Sequence, residues 1–475
     1  MPQQIDWPDN AQPKVVDQGN FIADAFSGRA GAGFSEAETA FSREHEGGGI
    51  TITVVPDREF GGIDYMYVEH EILVSAEHIE PVLYILGDER PRRDVERAEP
   101  GRIQHVIGDI FLITLLGTRF PLVADALREI DRLISDDAAT PNHVLTVAGG
   151  VGSPCPATEP EEVYYETEPY PAACQDGAGD GVRIYMTDTG LLEAVTASPA
   201  WRHDHPWLAH GVSGDPDPGD GQDPIPAYTG HGTFSAGVAR CMAPEARIFV
   251  NNEFRVAGST FEADLVRRLV RALRGGVDIF HLGIAAHSRH DRPLRALGEW
   301  LRLVRDYEGT VCVASAGNSG MSRPTWPGSF PDVVCVGALG RDWHGRASFS
   351  NFGGWVDVYA PGRDLVNAYA TGTYVCQDYP YGGPNGQNPP QTRQFYGMCK
   401  WSGTSFSAPL VAGLIAARMT RTGENGRQAA AALLAEAREH AIPGVGPVLL
   451  PRCGPQHEPR ARCGGCGCCP GHHRC

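Results

Sequence analysis

Short apolar runs alternating with helix-period segments over residues 181–445 predict an α/β fold built on a doubly wound, mostly parallel sheet. Three observations carry this. The runs at 279–282, 311–314 and 333–336 are short and largely apolar, as in parallel strands buried on both faces. Leu265, Val266, Leu269, Val270 and Leu273 recur at the spacing of one helix face. The extended run from Val182 to Thr187 ends in Asp188 and a glycine turn, which puts a carboxylate at the C-terminal end of a strand, where such sheets gather their chemistry.

In chain order, residues 1–50 are Gly/Ala/acid-rich without periodicity and are expected to form an irregular arm. Residues 51–150 predict a smaller α+β region, with extended runs at 51–55, 65–74 and 106–116 and a helix over 122–133. A last extended run, 143–148, closes that region. Residues 151–180 are expected to be an acidic linker in which Glu159-Pro160-Glu161-Glu162 is a solvated charge run. Within 181–445, Ser259 and Glu262 have the spacing of a capping box that opens a helix. The stretch 371–394, rich in Gly, Pro, Tyr and Asn, reads as a surface insertion. Pro409 is expected in the first turn of a helix whose buried face holds Leu410, Val411, Leu414, Ile415 and Met419. Residues 446–475 form a Cys/Gly/Pro-rich tail expected to be disordered. Its closely spaced Cys and His residues are potential zinc ligands, but almost no apolar residues accompany them to build a core.

Three segments carry candidate chemistry. Gly403-Thr404-Ser405-Phe406-Ser407-Ala408-Pro409 places a serine among small residues at a helix start, beside unpaired N–H groups and the positive dipole end. Gly230-His231-Gly232-Thr233 puts an imidazole at the mouth of another small-residue helix. Asp188 supplies the carboxylate. Taken singly, each residue has an ordinary structural role. Together, in the order Asp, His, Ser, they make one of the known arrangements of a serine triad.

The chain resembles the subtilisin-like serine proteases, the subtilases, from about 181 to 418. Beyond the three segments, the resemblance rests on Met242-Ala243-Pro244-Glu245-Ala246, Ala314-Ser315-Ala316-Gly317-Asn318, Trp326-Pro327-Gly328, Arg346-Ala347-Ser348-Phe349-Ser350 and Val356-Asp357-Val358-Tyr359-Ala360-Pro361-Gly362, all in family order. It implies Ser405 as nucleophile, His231 as general base, Asp188 as its orienting carboxylate and Asn318 as the side-chain donor of the oxyanion hole. It also implies a first specificity pocket walled by Gly283, Ser315 and Gly317. Two departures stand out: His281 replaces the family's usual asparagine on the substrate-pairing strand, and Gly283 its usual serine. Sedolisins share the fold but use a glutamate base, which Gly230-His231-Gly232-Thr233 does not match.

The function implied is a serine endopeptidase acting on polypeptide through an acyl-enzyme. The alternatives are a dedicated maturation protease or peptide ligase, and a catalytically silent binding protein. No cofactor is required, and structural calcium, possible in the family, maps to no defined residues. The N-terminal region resembles a subtilase prodomain in size and position, and 143–148 is expected to pair with 280–286 and bind the cleft in cis.

A net charge of −18 over 475 residues argues against nucleic-acid binding. No apolar run reaches the ~18 residues that span a membrane. The start of the chain shows neither basic region nor apolar core of a secretory signal, so a cytoplasmic site is expected, with secretion as the alternative. Of thirteen cysteines, Cys312 and Cys335 are expected as buried thiols, and Cys155/Cys174 and Cys376/Cys399 as pairs able to close disulfides.

Overall fold

The computed structural model describes residues 50–57, 63–88, 101–147, 157–164, 168–174, 177–254, 258–376 and 392–451. The expected N-terminal arm, except Ile50, and the Cys-rich tail beyond residue 451 lie outside these residues.

The N-terminal region runs β1 (Ile52–Pro56), β2 (Ile63–Ser75), α1 (Ile79–Ile85), β3 (Ile103–Ile107), β4 (Ile110–Thr114), α2 (Val123–Leu133) and β5 (Ala139–Val147). Its strands pair antiparallel, with β2 in contact with β1, β4 and β5. The single run expected at 106–116 is two strands, because Gly108 takes a positive φ and turns the chain between them. Val123, Ala126, Leu127 and Ile130 repeat at helical spacing and bury one face of α2 on Ile72, Val74 and Ile113.

The second region opens with β6 (Arg183–Asp188), the short helices α3 (Glu193–Ala197) and α4 (Pro199–Asp204), β7 (Val212–Gly214), α5 (His231–Met242) and β8 (Arg247–Asn252). Then come β9 (Ser259–Phe261), α6 (Glu262–Arg274), β10 (Ile279–Leu282), β11 (Ile284–Ala285), α7 (Arg295–Arg305), β12 (Val311–Ser315), β13 (Val333–Leu339) and β14 (Val358–Pro361). The hairpin β15 (Leu365–Val375) and β16 (Thr392–Trp401) leads into α8 (Thr404–Thr422) and α9 (Gly426–Glu439). The main sheet has the order β14-β13-β12-β10-β6-β8-β7, every neighbouring pair parallel. From β6 the chain builds β7 and β8 on one side, then crosses to β10 on the other. The switch point therefore flanks β6, with Asp188 at its carboxyl end.

Strand alternation divides the core. Ile184, Met186, Ile279 and Val313 face Phe234, Val238, Leu410 and Ile415 of α5 and α8. Tyr185, Phe280, Leu282 and Ala314 face Leu265, Leu269, Leu297 and Trp300 of α6 and α7. This is the doubly wound α/β arrangement that the sequence predicts, with the smaller α+β unit in front of it.

β5 joins the two regions. It pairs antiparallel with β9 through Val144↔Phe261, Leu145↔Thr260 and Thr146↔Ser259, and with β11 through Thr146↔Ala285 and Val147↔Ile284. Ion pairs flank the seam: Arg289 with Asp131 at 2.5 Å, Arg292 with Asp136 at 2.6 Å and Arg323 with Asp64 at 2.5 Å.

Several local expectations are corrected. Ser259 is not the N-cap of α6, which is Phe261, because its pairing with β5 draws it into β9. Glu262 instead accepts from the Ala296 and Leu297 N–H groups at the start of α7, at 2.7 and 3.3 Å. Pro409 lies in the second turn of α8, since the helix starts at Thr404. The acidic run is only partly solvated: Glu159 is 2% exposed and accepts from the Tyr374 hydroxyl, whereas Glu161, paired with Lys400 at 2.7 Å, stays partly exposed. The stretch 371–394 includes the hairpin's strand ends, and its centre, 377–391, lies outside the described residues. Cys376 and Cys399 remain thiols, because Cys399 opposes Asn367 while Cys376 follows Val375 at the far end of the same ladder. Cys312 and Cys335 are buried thiols as expected. Cys174 is disulfide-bonded, and Cys155 lies outside the described residues.

Candidate active site

Asp188 ends β6 and is fully buried. Its Oδ1 accepts from the Thr189 N–H at 2.8 Å and lies 2.6 Å from His231 Nδ1, so that nitrogen carries the proton. Burial pushes the Asp188 carboxyl up. The charge and hydrogen bond of His231, with His281 and the Thr189 N–H, outweigh it and leave the group below the usual carboxylate range.

His231 is the first residue of α5, placed there by a tight fit of glycines. A Cβ on Gly232 would stand 2.3 Å from the Gly190 carbonyl oxygen, so only glycine lets α5 approach the end of β6 so closely. Thr189 Oγ1 accepts from the Gly232 N–H at 3.0 Å and donates to Asp217 Oδ2 at 3.2 Å. Asp217 also accepts from the N–H groups of Gly230 at 2.8 Å and Gly219 at 2.9 Å. Thr233 Oγ1 accepts from the Leu192 N–H at 3.0 Å and ties the loop after β6 to the same helix.

Ser405 is the second residue of α8, fully buried, so its N–H is among the first-turn donors that no helical carbonyl satisfies. The His231 ring lies 5.0 Å, centroid to centroid, from Phe406 and 5.5 Å from Trp401. Two aromatic rings thus wall the imidazole beside the serine. Among the described residues neither Ser405 Oγ nor His231 Nε2 has a hydrogen-bond partner.

Asn318 follows β12. Its Oδ1 accepts from Thr404 N at 2.8 Å and Thr404 Oγ1 at 3.0 Å, which fixes the plane of the amide next to Ser405. Thr404 Oγ1 also accepts from the Gly317 N–H at 3.2 Å. Ser315, at the end of β12, is fully buried, and the Gly283 N–H donates to Thr187 Oγ1 at 3.2 Å between β10 and β11.

The sequence reading missed Thr189, Asp217 and Thr404 as members of this site. Thr404 adjoins the serine within a motif already singled out. Asp217 sits in a run of Asp, Gly and Pro that is indistinguishable from a solvated turn. Among the described residues no group of three or more His, Cys, Asp or Glu is arranged to hold a metal ion.

The parallel α/β sheet thus carries Asp188, hydrogen-bonded to His231, at its switch point, with Ser405 at the start of α8. The chain belongs to the subtilase family, whose model matches residues 179–445. A thermophilic serine proteinase of Bacillus sp. (strain AK1) is 31% identical over 207 residues, 41% of this chain and 43% of its own length. The match therefore takes in less than half of that relative. Thermitase of Thermoactinomyces vulgaris is 26% identical over 234 residues, 46% of this chain and 78% of its own. Among solved structures, fervidolysin from Fervidobacterium pennivorans, a keratinolytic enzyme related to subtilisin, is similar at 18% identity and a TM-score of 0.49. That match covers 81% of this chain and 60% of the other.

Proposed function

We propose that this chain is a serine endopeptidase that hydrolyses peptide bonds through an acyl-enzyme. The observation that carries the reading is the 2.6 Å His231–Asp188 hydrogen bond, which orients the ring and leaves Nε2 as the basic nitrogen near Ser405. Ser405 Oγ attacks the scissile carbonyl while His231 Nε2 takes its proton. Asp188 stabilises the imidazolium through the Nδ1 proton. The oxyanion is met by the Ser405 N–H and Asn318 Nδ2. On collapse of the tetrahedral intermediate the C–N bond breaks and His231 gives its proton to the leaving amine. Water then repeats the sequence in reverse on the ester.

Polypeptide is the substrate class this chemistry serves, and β9 and β11 supply edges on which an extended substrate would pair. β5 takes that place in its own chain, which supports the reading that residues 51–147 bind the catalytic cleft in cis. No helix among the described residues is long and apolar enough to cross a membrane. The disulfide at Cys174 favours an oxidising compartment, the secreted alternative. The test is turnover of an unstructured polypeptide such as casein by the purified chain. New amino termini should appear with wild type and be missing with Ser405→Ala; equal cleavage by both would reject the proposal.

A further inference from the structure

We propose that Thr189 and Asp217 are positioning residues for the triad, a hydroxyl and a carboxylate that together fix Asp188 against the first turn of α5; the inference rests on the reading of Asp188, His231 and Ser405 given above.

The need for them arises at the start of α5. His231 opens this helix behind Gly230, which takes a φ of 80° and has no side chain to cap the first turn. A Cβ at Gly230 would stand 2.9 Å from the Tyr369 ring, so a capping side chain has no room there. First-turn N–H groups have no helical partner, and a buried one left unmet costs about 1–3 kcal/mol. Gly230 and Gly232 flank the imidazole, so the groups that accept from them set where the ring sits.

Both acceptors come from outside the helix, and both are buried. The Gly230 N–H donates to Asp217 Oδ2 at 2.8 Å, and the Gly232 N–H to Thr189 Oγ1 at 3.0 Å. Thr189 Oγ1 in turn donates its own proton to Asp217 Oδ2 at 3.2 Å. The Gly219 N–H holds the other oxygen, Oδ1, at 2.9 Å. On its main-chain side, Thr189 donates its N–H to Asp188 Oδ1 at 2.8 Å, the oxygen that lies 2.6 Å from His231 Nδ1. A closed ring results: Asp188 to His231 by one hydrogen bond, His231 to Gly232 by the chain, Gly232 to Thr189 by a second bond, and Thr189 back to Asp188. Asp217 anchors that ring from outside, and the positive end of the α5 dipole favours its negative charge. A valine at 189 would fill the same space, so the hydroxyl serves the bonds and not the packing. Opening the ring frees the imidazole to shift, and a displacement of about 1 Å can cost roughly 10²-fold in rate.

The test compares Thr189→Val, Thr189→Ser, Asp217→Asn and the double variant Thr189→Val/Asp217→Asn in the full chain. It is run at about pH 9, where the Asp217 carboxyl, pushed up to about 7 by burial, is ionised. Valine keeps the shape and loses the hydroxyl; serine restores it. Asparagine turns one accepting oxygen into a donor. Thr189→Val should lower kcat by about ten- to a hundredfold with KM unchanged, and Thr189→Ser should recover most of it. The double variant should lose little more than the worse single one, because both changes open the same ring. The low-field proton resonance of the His231–Asp188 hydrogen bond, read in the Ser405→Ala background, should shift in the valine variant and return in the serine variant. Asp217→Asn should shift it too, and carries the comparison if Thr189→Val does not fold. Three results would overturn the proposal. One is a valine variant within about twofold of wild type with an unmoved resonance. Another is equal losses with valine and serine, which would mark a packing role. The third is multiplied losses in the double variant, which would mark two unrelated defects. The resonance needs no turnover, so an inert wild type would reject the protease reading while this inference is still decided.

Discussion

In the proposed mechanism Ser405 and His231 act as one device, so removing either should cost nearly the whole rate. Ser405→Ala and His231→Ala should each lower kcat by about 10⁶, the loss known for subtilisin's serine and histidine. Asn318→Ala should lower kcat by about 10²–10³ with little change in KM, because its amide meets charge that exists mainly in the transition state. A loss confined to KM would assign Asn318 to ground-state binding. Asp217 carries a pH signature. Burial pushes its carboxyl up to about 7 from the ordinary 3.8, despite the donors of Gly230, Gly219 and Thr189. Between those values the folded chain holds a proton that the unfolded chain has released. The contribution to stability is present below about pH 4 and lost as pH rises through 7. The Tm of the chain relative to its Asp217→Asn variant, both in the Ser405→Ala background, should fall from pH 4 to 8; a constant difference would contradict this. The candidate triad was legible because Asp188 ends an extended run before a glycine turn, His231 and Ser405 each open a small-residue helix, and the order of the three makes sense only together. Asp217 was hidden, since nothing local tells a carboxylate that accepts three hydrogen bonds from one facing water.

The same division holds for elements. Buried parallel strands and amphipathic helices declared themselves through periodicity, as in α6, where Leu265, Val266, Leu269 and Leu273 are all buried. Errors came where distant chain decided the local outcome. Ser259 has the spacing of a cap, but pairing with β5 makes it strand. Glu262, freed from that role, accepts from two N–H groups of α7 and lies 3.3 Å from His143 Nδ1 in β5. Glu262 is thus a buried joint between α6, α7 and the N-terminal region. Glu262→Ala leaves those donors unmet and should destabilise the chain by roughly 2–3 kcal/mol. Chemical denaturation in the Ser405→Ala background reads this directly, and a change below about 0.5 kcal/mol, the range of surface substitutions, would deny the joint.

At the scale of the molecule, a chain of net charge −18 places arginines of its subtilase region against aspartates of its N-terminal region along one seam. Together with the β5 ladder, that seam supports the proposal that the N-terminal region is an inhibitor held in place until it is cut. Wild-type protein should shorten itself between Ala148 and Gly179, while Ser405→Ala stays full length; intact mass tells them apart, and an uncut, fully active wild type would mark a permanent accessory domain. The central claim is the nucleophile, and its most direct test is covalent. Wild type and His231→Ala are treated with a fluorophosphonate, and the adduct is located by peptide mass mapping. The account predicts modification of Ser405 in wild type and almost none in His231→Ala. A chain that cleaves casein while Ser405 stays unmodified, or one labelled equally without His231, would contradict it.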